Sequence, residues 1–530
     1  MSAEVKAVTL TIEGRTASVP AGTSLIEAAK AVGVLIPHYC YHPGLPVAGV
    51  CRMCLVEVEK APKLAPACAT AAAEGQVVHV YTERAVTARR GVLEMLLINH
   101  PLDCPICDQA GECELQDYTY QEGRGEGRYR EPKRFNPVED FGGDVVYVPN
   151  RCILCTRCVR FMDSVALDPV LNVSERGDRA LIGKFEGQDL THPWAGNVID
   201  LCPVGALLSK DALNKVRAWE VDRTASVCPN CTQGCNMILE TRDNQVVRLR
   251  PRPNEDVNKY FMCDYGRLNY RWMNRRDRVD APLVRQGDSL VAADWEIATR
   301  AAAAAIAGKR AVVLASPMLS NEALFLLSRL VQRTGGAGAF RVNRGPEEPL
   351  RGVESLALRP ERAANVRGAE LFGFRESDAP LTSLTSGDVL VVADEELGGA
   401  PPVDATAVAR AGAVVVIGTT LPEWVQSVAA VVLPIANFTE EEGTFTNVGG
   451  RVQRFMQARA ATGLARPSFW VIGDLLAAMG DGTGFFTAAD AFASLARAHA
   501  SFAGMSYETL GMKGSTIAAA GAVAAVGAVA

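Results

Sequence analysis

The sequence predicts a multidomain protein of mixed α/β and α+β class, in which small cysteine-rich modules precede a larger α/β domain. The chain has 530 residues and a hydrophobic content of 48%, which is enough for several separate cores. All fifteen cysteines lie between Cys40 and Cys263, so the two halves of the chain differ in composition. After about residue 280, strand-like apolar runs alternate with helical segments, a pattern typical of a mostly parallel sheet.

The charge and the N-terminal residues exclude several classes of protein. Lysine and arginine total 54 against 60 aspartate and glutamate, and the net charge of −6 argues against a strongly basic nucleic-acid-binding protein. The sequence has no run of about 20 strongly apolar residues, so we expect no direct membrane span. The first residues lack the pattern of a secretory signal. In a reducing compartment, clustered cysteines are more often metal ligands than disulfides.

The first 100 residues contain the pattern of a small mixed module followed by a helix. Strands over residues 8–12 and 15–19 flank Glu13-Gly14, which predicts a hairpin. A short helix capped by Thr23 or Ser24 is predicted to end at Gly33. Periodicity predicts further strands over 55–58 and 77–80 and a helix over 87–98.

The remaining segments fall into a loop, an α/β region and a tail. Residues 121–141 are rich in Gly, Arg, Glu and Pro and are predicted to form a loop. One helix is predicted to begin at Asp294, and another runs from Ser320 to Gly335. The final 16 residues, rich in Ala, Gly and Val, are expected to be a frayed tail or a docked helix rather than a membrane anchor. Three apolar runs are predicted as sheet strands: 311–315, 389–393 and 413–417.

Two groups of metal-ligand residues lie in the first 120 residues. The first group is Cys40, Cys51, Cys54 and Cys68. Its close pair Cys51-Arg-Met-Cys54 has the two-residue spacing found in a plant-type [2Fe–2S] site. A structural zinc site is the alternative. The second group is His100, Cys104, Cys107 and Cys113. Its three cysteines cannot close a four-ligand site alone, so the histidine is the predicted fourth ligand, and a neutral imidazole would raise the reduction potential.

Two further groups follow in the next 150 residues. The third group is Cys152, Cys155, Cys158 and Cys202. Three cysteines at this spacing with a remote Cys-Pro are typical of a bacterial ferredoxin, which predicts a [4Fe–4S] cluster. The fourth group is Cys228, Cys231, Cys235 and Cys263. Its spacing suits either an iron–sulfur cluster or a four-cysteine zinc site.

The number of ligands supports this division into four sites. Four sites need sixteen ligands, and fifteen cysteines with one histidine supply them with none left over. Four arginines lie inside or beside the ligand runs: Arg52, Arg151, Arg157 and Arg160. They are predicted either to favour the reduced state of a nearby cluster or to be ordinary solvated surface residues.

The order of the sites resembles the large, G-type iron–sulfur subunit of bacterial NADH–quinone oxidoreductase, respiratory complex I. The resemblance implies that the first three groups bind relay clusters between the flavin subunit and quinone. It implies that the fourth group binds an additional [4Fe–4S] cluster off the main relay. We therefore expect one [2Fe–2S] and three [4Fe–4S] clusters, no catalytic or substrate-binding residue in this chain, and no nucleic acid. The implied partners are the flavin- and NADH-binding subunit and the quinone-side iron–sulfur subunits, in a peripheral arm on the cytoplasmic face of the inner membrane.

The region from about residue 221 onward resembles the molybdopterin-dependent oxidoreductases of the formate dehydrogenase type. The resemblance depends on Leu433-Pro434, the run Glu442-Gly-Thr-Phe-Thr-Asn447 and Gly450-Arg-Val-Gln453. Those enzymes usually bind their metal through Cys, selenocysteine, Ser or Asp. No cysteine follows Cys263, and about 250 residues are too few for a full cofactor cage. We expect a shortened scaffold without molybdopterin.

The resemblance implies a β-grasp [2Fe–2S] ferredoxin-like module, a one-His/three-Cys module, a [4Fe–4S] ferredoxin-like module and a reduced molybdopterin-oxidoreductase-like region. Three other classes of protein are alternatives: a molybdenum or tungsten formate dehydrogenase, an iron hydrogenase, and a non-redox scaffold held together by structural zinc sites. The hydrogenase needs further active-site cysteines after the third module, and the fourth group has the wrong spacing. The predicted domains are residues 1–83, 84–123, 124–220, 221–277 and 278–514, with a tail over 515–530.

Overall fold

The computed structural model describes residues 6–395, 405–482 and 484–517. The chain divides into two compact units, which are described separately. The first comprises Met1–Val221 and Leu350–Glu354, and the second comprises Asp222–Pro349 and Ser355–Ala530. Among the described residues, no helix has both the length and the apolar character needed to cross a bilayer.

The first unit is built from short elements between long loops, apart from one helix of 15 residues. Its strands are β1 (Ala7–Ile12), β2 (Arg15–Pro20), β3 (Leu55–Val58), β4 (Ala65–Pro66), β5 (Val77–His79), β6 (Glu139–Gly142), β7 (Val145–Tyr147), β8 (Leu171–Ser174), β9 (Leu181–Lys184) and β10 (Leu207–Ser209). Its helices are α1 (Leu25–Ala31), α2 (Glu83–Leu97), α3 (Glu114–Glu122), α4 (Arg157–Arg160) and α5 (Asn197–Leu201). The described residues between α3 and β6 form no regular helix or strand, which confirms most of the predicted loop.

The N-terminal module is a sheet in the order β2-β1-β5-β3-β4. The predicted hairpin is confirmed: β1 and β2 pair antiparallel, and both turn residues, Glu13 and Gly14, have positive φ. Helix α1 begins after Ser24, whose side chain makes no capping hydrogen bond, and Gly33 follows with φ +71°. Helix α2 begins four residues earlier than predicted because Thr82 caps it by accepting from the Ala85 amide at 3.3 Å.

The other sheets of the first unit lie beside the later cysteines. Strands β6, β7 and β10 form a sheet in the order β10-β7-β6, and β8 pairs antiparallel with β9. Buried aromatic rings of Phe141 and Tyr147 pack with centroids 4.6 Å apart. One 3₁₀ turn, Pro149–Arg151, separates β7 from the third cysteine run, so this small core lies close to the start of that run.

The second unit contains longer strands and most of the helices. Its strands are β11 (Asp222–Val227), β12 (Asn236–Arg242), β13 (Gln245–Pro251), β14 (Leu283–Gln286), β15 (Ser289–Ala292), β16 (Arg310–Ala315), β17 (Ala337–Phe340), β18 (Glu348–Pro349), β19 (Ala357–Leu358), β20 (Arg375–Glu376), β21 (Asp388–Ala393), β22 (Ala413–Gly418), β23 (Val431–Pro434), β24 (Gly443–Thr446), β25 (Arg451–Phe455) and β26 (Ser515–Thr516). Its helices are α6 (Asp264–Leu268), α7 (Trp295–Ile306), α8 (Asn321–Arg333), α9 (Val366–Leu371), α10 (Ala379–Thr382), α11 (Ala405–Val408), α12 (Glu423–Gln426), α13 (Ser468–Ala478), α14 (Ala488–Ala498) and α15 (Tyr507–Leu510).

The main sheet of this unit has the order β15-β14-β23-β22-β21-β16-β17-β20 within the described residues. The pairs from β20 to β23 are parallel and β14 is antiparallel to β23, which confirms the prediction of a mostly parallel sheet. The three strands predicted from apolar runs are its central strands β16, β21 and β22. Helix α8 begins where predicted because the Ser320 hydroxyl accepts from the Ala323 amide at 3.2 Å.

The predicted tail requires one correction. Ser515 and Thr516 form β26, paired antiparallel with Val452 and Arg451 of β25, rather than a frayed end or a helix. This edge strand pairs with a strand that lies about 60 residues earlier in the sequence. Local composition does not reveal such a distant pairing. Residues 518–530 of that tail lie outside the described part of the chain.

Candidate metal centres

The structure brings the four cysteines of the first group together between α1 and the strands β3 and β4. The Cys40 side chain contacts those of Cys51 and Cys68, and the Cys54 side chain contacts that of Cys68. The Cys40 amide also donates to Cys51 Sγ at 3.4 Å. Hydrogen bonds from the Cys51 and Cys68 thiols hold the pKa of Cys40 far below its usual range. Arg52, between the close pair, has φ +58° and is exposed, so the loop turns sharply over the sulfurs.

In the second group, the three cysteines lie close together, but within the described part of the chain His100 makes no hydrogen bond to them. Burial raises the pKa of the Cys113 thiol to about 11, and the nearby charges of Cys107 and Cys104 raise it further, so these three lie close together. The His100 ring is not hydrogen-bonded to them among the described residues. Its Nδ1 atom is buried without a hydrogen-bond partner, and burial lowers the pKa of this imidazole to about 4. A neutral imidazole with a free buried nitrogen fits the role of a metal ligand.

Gly205 shows how closely the chain approaches the second group. A Cβ atom at this position would lie 2.3 Å from Cys107 Sγ, so any larger residue would displace the sulfur. The Arg217 guanidinium binds the backbone of the same loop, donating to the carbonyl oxygens of Cys107 at 2.7 Å and Pro105 at 2.6 Å. Neither residue was predicted from the sequence. The Cys-Pro-Val-Gly order was a usable signal for Gly205, but nothing in the local sequence indicated Arg217.

The third group lines a pocket that opens to solvent, and the atom-free space of about 330 Å³ in this pocket includes part of that solvent. All four cysteines line it: Cys152, Cys155, Cys158 and Cys202. The spacer residues Leu154 and Thr156 both have positive φ, which lets the short run wrap around the cavity. Burial raises the pKa of Cys155 to about 12. Buried thiols of this kind ionise only beside a compensating positive charge, such as that of bound metal ions.

The fourth group lies in the second unit, where the loop after β11 and the start of α6 meet. All four residues are 3–4% exposed: Cys228, Cys231, Cys235 and Cys263. The charges of the other three raise the pKa of Cys235 beyond the effect of burial, so the four lie close together. A Cβ atom on Gly266 would lie 3.2 Å from Cys228 Sγ and 3.3 Å from Cys263 Sγ. This glycine keeps space open between the two sulfurs, and it was not among the residues predicted from the sequence.

The residues of all four groups suit iron–sulfur clusters. All fifteen cysteines are free thiols, and eleven of them are buried. Among the residues that the structure describes, no three His, Cys, Asp or Glu side chains form a site for a single metal ion. A cluster distributes its ligands over two or four irons, so they need not converge on one point. Thiols and an imidazole are ligands that iron–sulfur clusters use, so the donor sets of the four groups fit clusters.

The motifs that resemble molybdopterin enzymes lie on β23, β24 and β25, where buried polar side chains bind one another. The Glu322 carboxylate accepts from the Thr444 amide at 3.0 Å and from the Tyr507 hydroxyl at 2.8 Å. The Asn321 amide donates to Thr444 Oγ1 at 3.0 Å. These contacts tie α8 and α15 to β24, so the motif residues have a structural role in this chain.

Comparison with protein families matches most of the chain to five domain models. Each of the four ligand groups lies inside one of the first four matched ranges. These are a 2Fe-2S iron-sulfur cluster binding domain (residues 5–83), an NADH-ubiquinone oxidoreductase-G iron-sulfur binding region (89–128), an NADH-quinone oxidoreductase subunit 3 ferredoxin-like domain (142–208), a molybdopterin oxidoreductase Fe4S4 domain (221–275) and a molybdopterin oxidoreductase domain (397–478).

Curated relatives carry names that agree with these models. The G subunit of NADH-quinone oxidoreductase from Rickettsia bellii is 40% identical over 331 residues, which are 62% of this chain and 48% of the relative. The mitochondrial NADH-ubiquinone oxidoreductase 78 kDa subunit of Candida albicans is 42% identical over 335 residues, 62% of this chain and 46% of the relative. The chain spans about half the length of the curated relatives it matches.

One solved structure with detectable similarity is a crystal structure of NAD⁺-reducing [NiFe]-hydrogenase in the H₂-reduced state. It is 30% identical to this chain, with a TM-score of 0.35. The match covers 39% of this chain and 90% of the hydrogenase chain. A TM-score this low supports no argument about the fold.

Proposed function

We propose that this chain, an iron–sulfur protein of the family of NADH-quinone oxidoreductase G subunits, carries electrons from a flavin subunit toward quinone. One observation supports this most strongly: the four ligand groups lie, in order, inside four iron–sulfur domain models, two of which bear the name of this oxidoreductase. The chain is then a relay component of a proton-pumping NADH–quinone oxidoreductase. Its residues bind clusters and do not bind a substrate.

The proposed cluster content is one [2Fe–2S] and three [4Fe–4S] centres, without molybdopterin. The first group would bind the two-iron centre through four thiolates, and the second would bind a four-iron centre through His100 and three thiolates. The third and fourth groups would each bind a four-iron centre through four thiolates. Bound clusters of these kinds accept and release one electron at a time.

The chain's own residues would set the properties of these centres. Buried loops exclude water, and backbone amides such as that of Leu154, 3.4 Å from Cys152 Sγ, donate to ligand sulfur. Such donors and burial tune the reduction potential of each centre. The first three groups lie in one compact unit, as a relay requires, and the fourth is proposed to lie off the main path.

The proposed partners follow from the same premise. They are the flavin- and NADH-binding subunit, which supplies electrons, and the quinone-side iron–sulfur subunits, which accept them. The proposed location is the cytoplasmic face of the bacterial inner membrane, within the peripheral arm of the complex.

A second candidate function is a molybdenum or tungsten formate dehydrogenase, which the two molybdopterin-oxidoreductase models favour. Low-temperature EPR of the reduced full-length protein, together with a formate oxidation assay, separates the candidates. The relay predicts signals from one two-iron and several four-iron centres and no formate oxidation. A zinc-stapled scaffold gives no cluster signal, and formate oxidation with bound molybdenum or tungsten supports the second candidate.

A further inference from the structure

Arg157 lies inside the loop of the third group but binds the loop of the first. The residue is 4% exposed. Its Nη2 atom donates to the carbonyl oxygen of Tyr41 at 2.7 Å, directly after Cys40. Its Nη1 atom donates to the carbonyl oxygen of Leu201 at 3.2 Å, directly before Cys202. One guanidinium therefore joins the backbone beside a ligand of each group.

Arg160, three residues later in α4, repeats this connection. Its guanidinium donates to the carbonyl oxygens of Cys40 and Pro46 in the first loop. It also donates to the carbonyl oxygen of Cys155 at 3.2 Å in the third loop. Two arginines of one short helix thus bind carbonyl groups of both loops, two of them carbonyls of the ligand residues themselves.

The positive charge of this pair is only partly balanced. The carboxylate nearest to Arg157 is that of Glu114, 3.5 Å from Nη1. Among the described residues, Arg160 forms no ion pair. Carbonyl oxygens orient a guanidinium without cancelling its charge, so a net positive charge persists beside the two loops, buried at Arg157 and half-buried at Arg160.

We propose that Arg157 and Arg160 are positioning residues that raise the reduction potentials of the first and third centres together; this inference depends on the proposed relay function. Reduction of a centre adds one negative charge, which a nearby fixed cation stabilises. When one electron passes between them, the first centre is oxidised by one electron and the third is reduced by one. Because the same cations lie beside both, both potentials rise while the difference between them changes little.

The test measures midpoint potentials of the full-length protein by EPR-monitored redox titration, with iron content determined for each variant. We expect Arg157→Gln to lower the equilibrium constant for one-electron reduction about tenfold at both centres, which is about 59 mV. Arg157→Lys keeps the charge without the forked geometry, so its potentials should stay near those of the parent protein. Arg176→Gln removes an exposed arginine of the same unit and should change neither potential.

Several outcomes would overturn the proposal. The proposal fails if an Arg157→Gln protein that retains its iron has unchanged reduction potentials. It also fails if Arg157→Lys shifts the potentials as much as Arg157→Gln does, since the lysine keeps the charge. If Arg157→Gln fails to fold or to bind iron, Arg160→Gln carries the same expectation and the same refutation. If the parent protein gives no cluster signals, the proposed relay function fails, and this result is distinguishable from an unshifted potential.

Discussion

The cysteine loops of the first unit differ from the main sheet of the second unit in what holds them in place. The third cysteine run lies in a loop with two left-handed residues, Leu154 and Thr156, and ends in a four-residue helix. In contrast, every residue of the central strand β21 is buried, and the helices around it contribute a continuous apolar core. Hydrophobic burial orders the main sheet, and the comparison predicts that bound clusters order the cysteine loops.

The largest expected effect is on electron transfer. Cys155→Ala removes a ligand of the third group, so we expect loss of one four-iron EPR signal and no quinone reduction by the assembled complex. The main sheet should keep its amide hydrogen-exchange protection, because its core contains no metal ligand. Turnover that survives with that centre missing would show that the third group is not on the electron path.

Cys231→Ala is the matched control, because it removes a cysteine from the fourth group. We expect it to remove a different EPR signal or weaken assembly while electron transfer to quinone continues. Complete loss of electron transfer in an intact complex would place the fourth group on the path and contradict the proposal.

The reverse experiment perturbs the sheet region and spares the metal sites. Leu327 of α8 is fully buried in the apolar core, so Leu327→Ala should lower the free energy of unfolding of this region by about 2–5 kcal/mol. Urea-dependent hydrogen exchange of β16 and β21 measures the loss, and Ile297→Ala, at a half-exposed position of α7, is the control. A fall in iron content without loss of exchange protection would contradict the comparison.

A smaller effect is expected at His100. His100→Cys replaces a neutral imidazole with a thiolate, and the added negative charge should lower the reduction potential of one four-iron centre. EPR-monitored redox titration measures the shift, and His499→Cys, which introduces a thiol in the second unit, should leave it unchanged. An unshifted potential at full iron content means that His100 is not a ligand.

The smallest effect concerns pH and the second unit alone. Burial raises the pKa of the Glu441 carboxyl, which binds Ser468, to about 8. Between pH 4.5 and about 8 the folded protein therefore keeps a proton that the unfolded chain releases. The stability contributed by this carboxyl is complete below pH 4.5 and is lost as pH rises toward 8.

Glu441→Gln should flatten this pH dependence in denaturant titrations of the second unit. The exposed Glu296→Gln variant is the control and should retain the slope of the parent protein. A slope that is unchanged in Glu441→Gln would mean that the carboxyl is ionised in the folded protein.

Local sequence patterns predicted most of the fold because the elements concerned are determined locally. The turn at Glu13-Gly14, the cap at Ser320 and the apolar strands β21 and β22 all depend on neighbouring residues. The start of α2 was misplaced because the periodic apolar residues begin later than the cap at Thr82. Strand β26 was missed because it forms only by pairing with a distant strand.

The candidate ligands were predictable as groups, since their spacing and total number suit four sites. The contacts that shape the loops were not predictable, because they join positions far apart in sequence. Gly205 approaches Cys107, and Arg157 reaches Tyr41 across 116 positions. The ligand assignments themselves stay predictions, although the structure groups the cysteines of each set.

The central claim is that the cysteines and His100 hold electron-carrying clusters and not structural zinc. Iron, acid-labile sulfide and zinc per chain, measured on anaerobically purified protein, test it most directly. The account predicts about fourteen irons with matching sulfide and almost no zinc, from one two-iron and three four-iron centres. A colourless protein that contains several zinc ions per chain and no labile sulfide would contradict it.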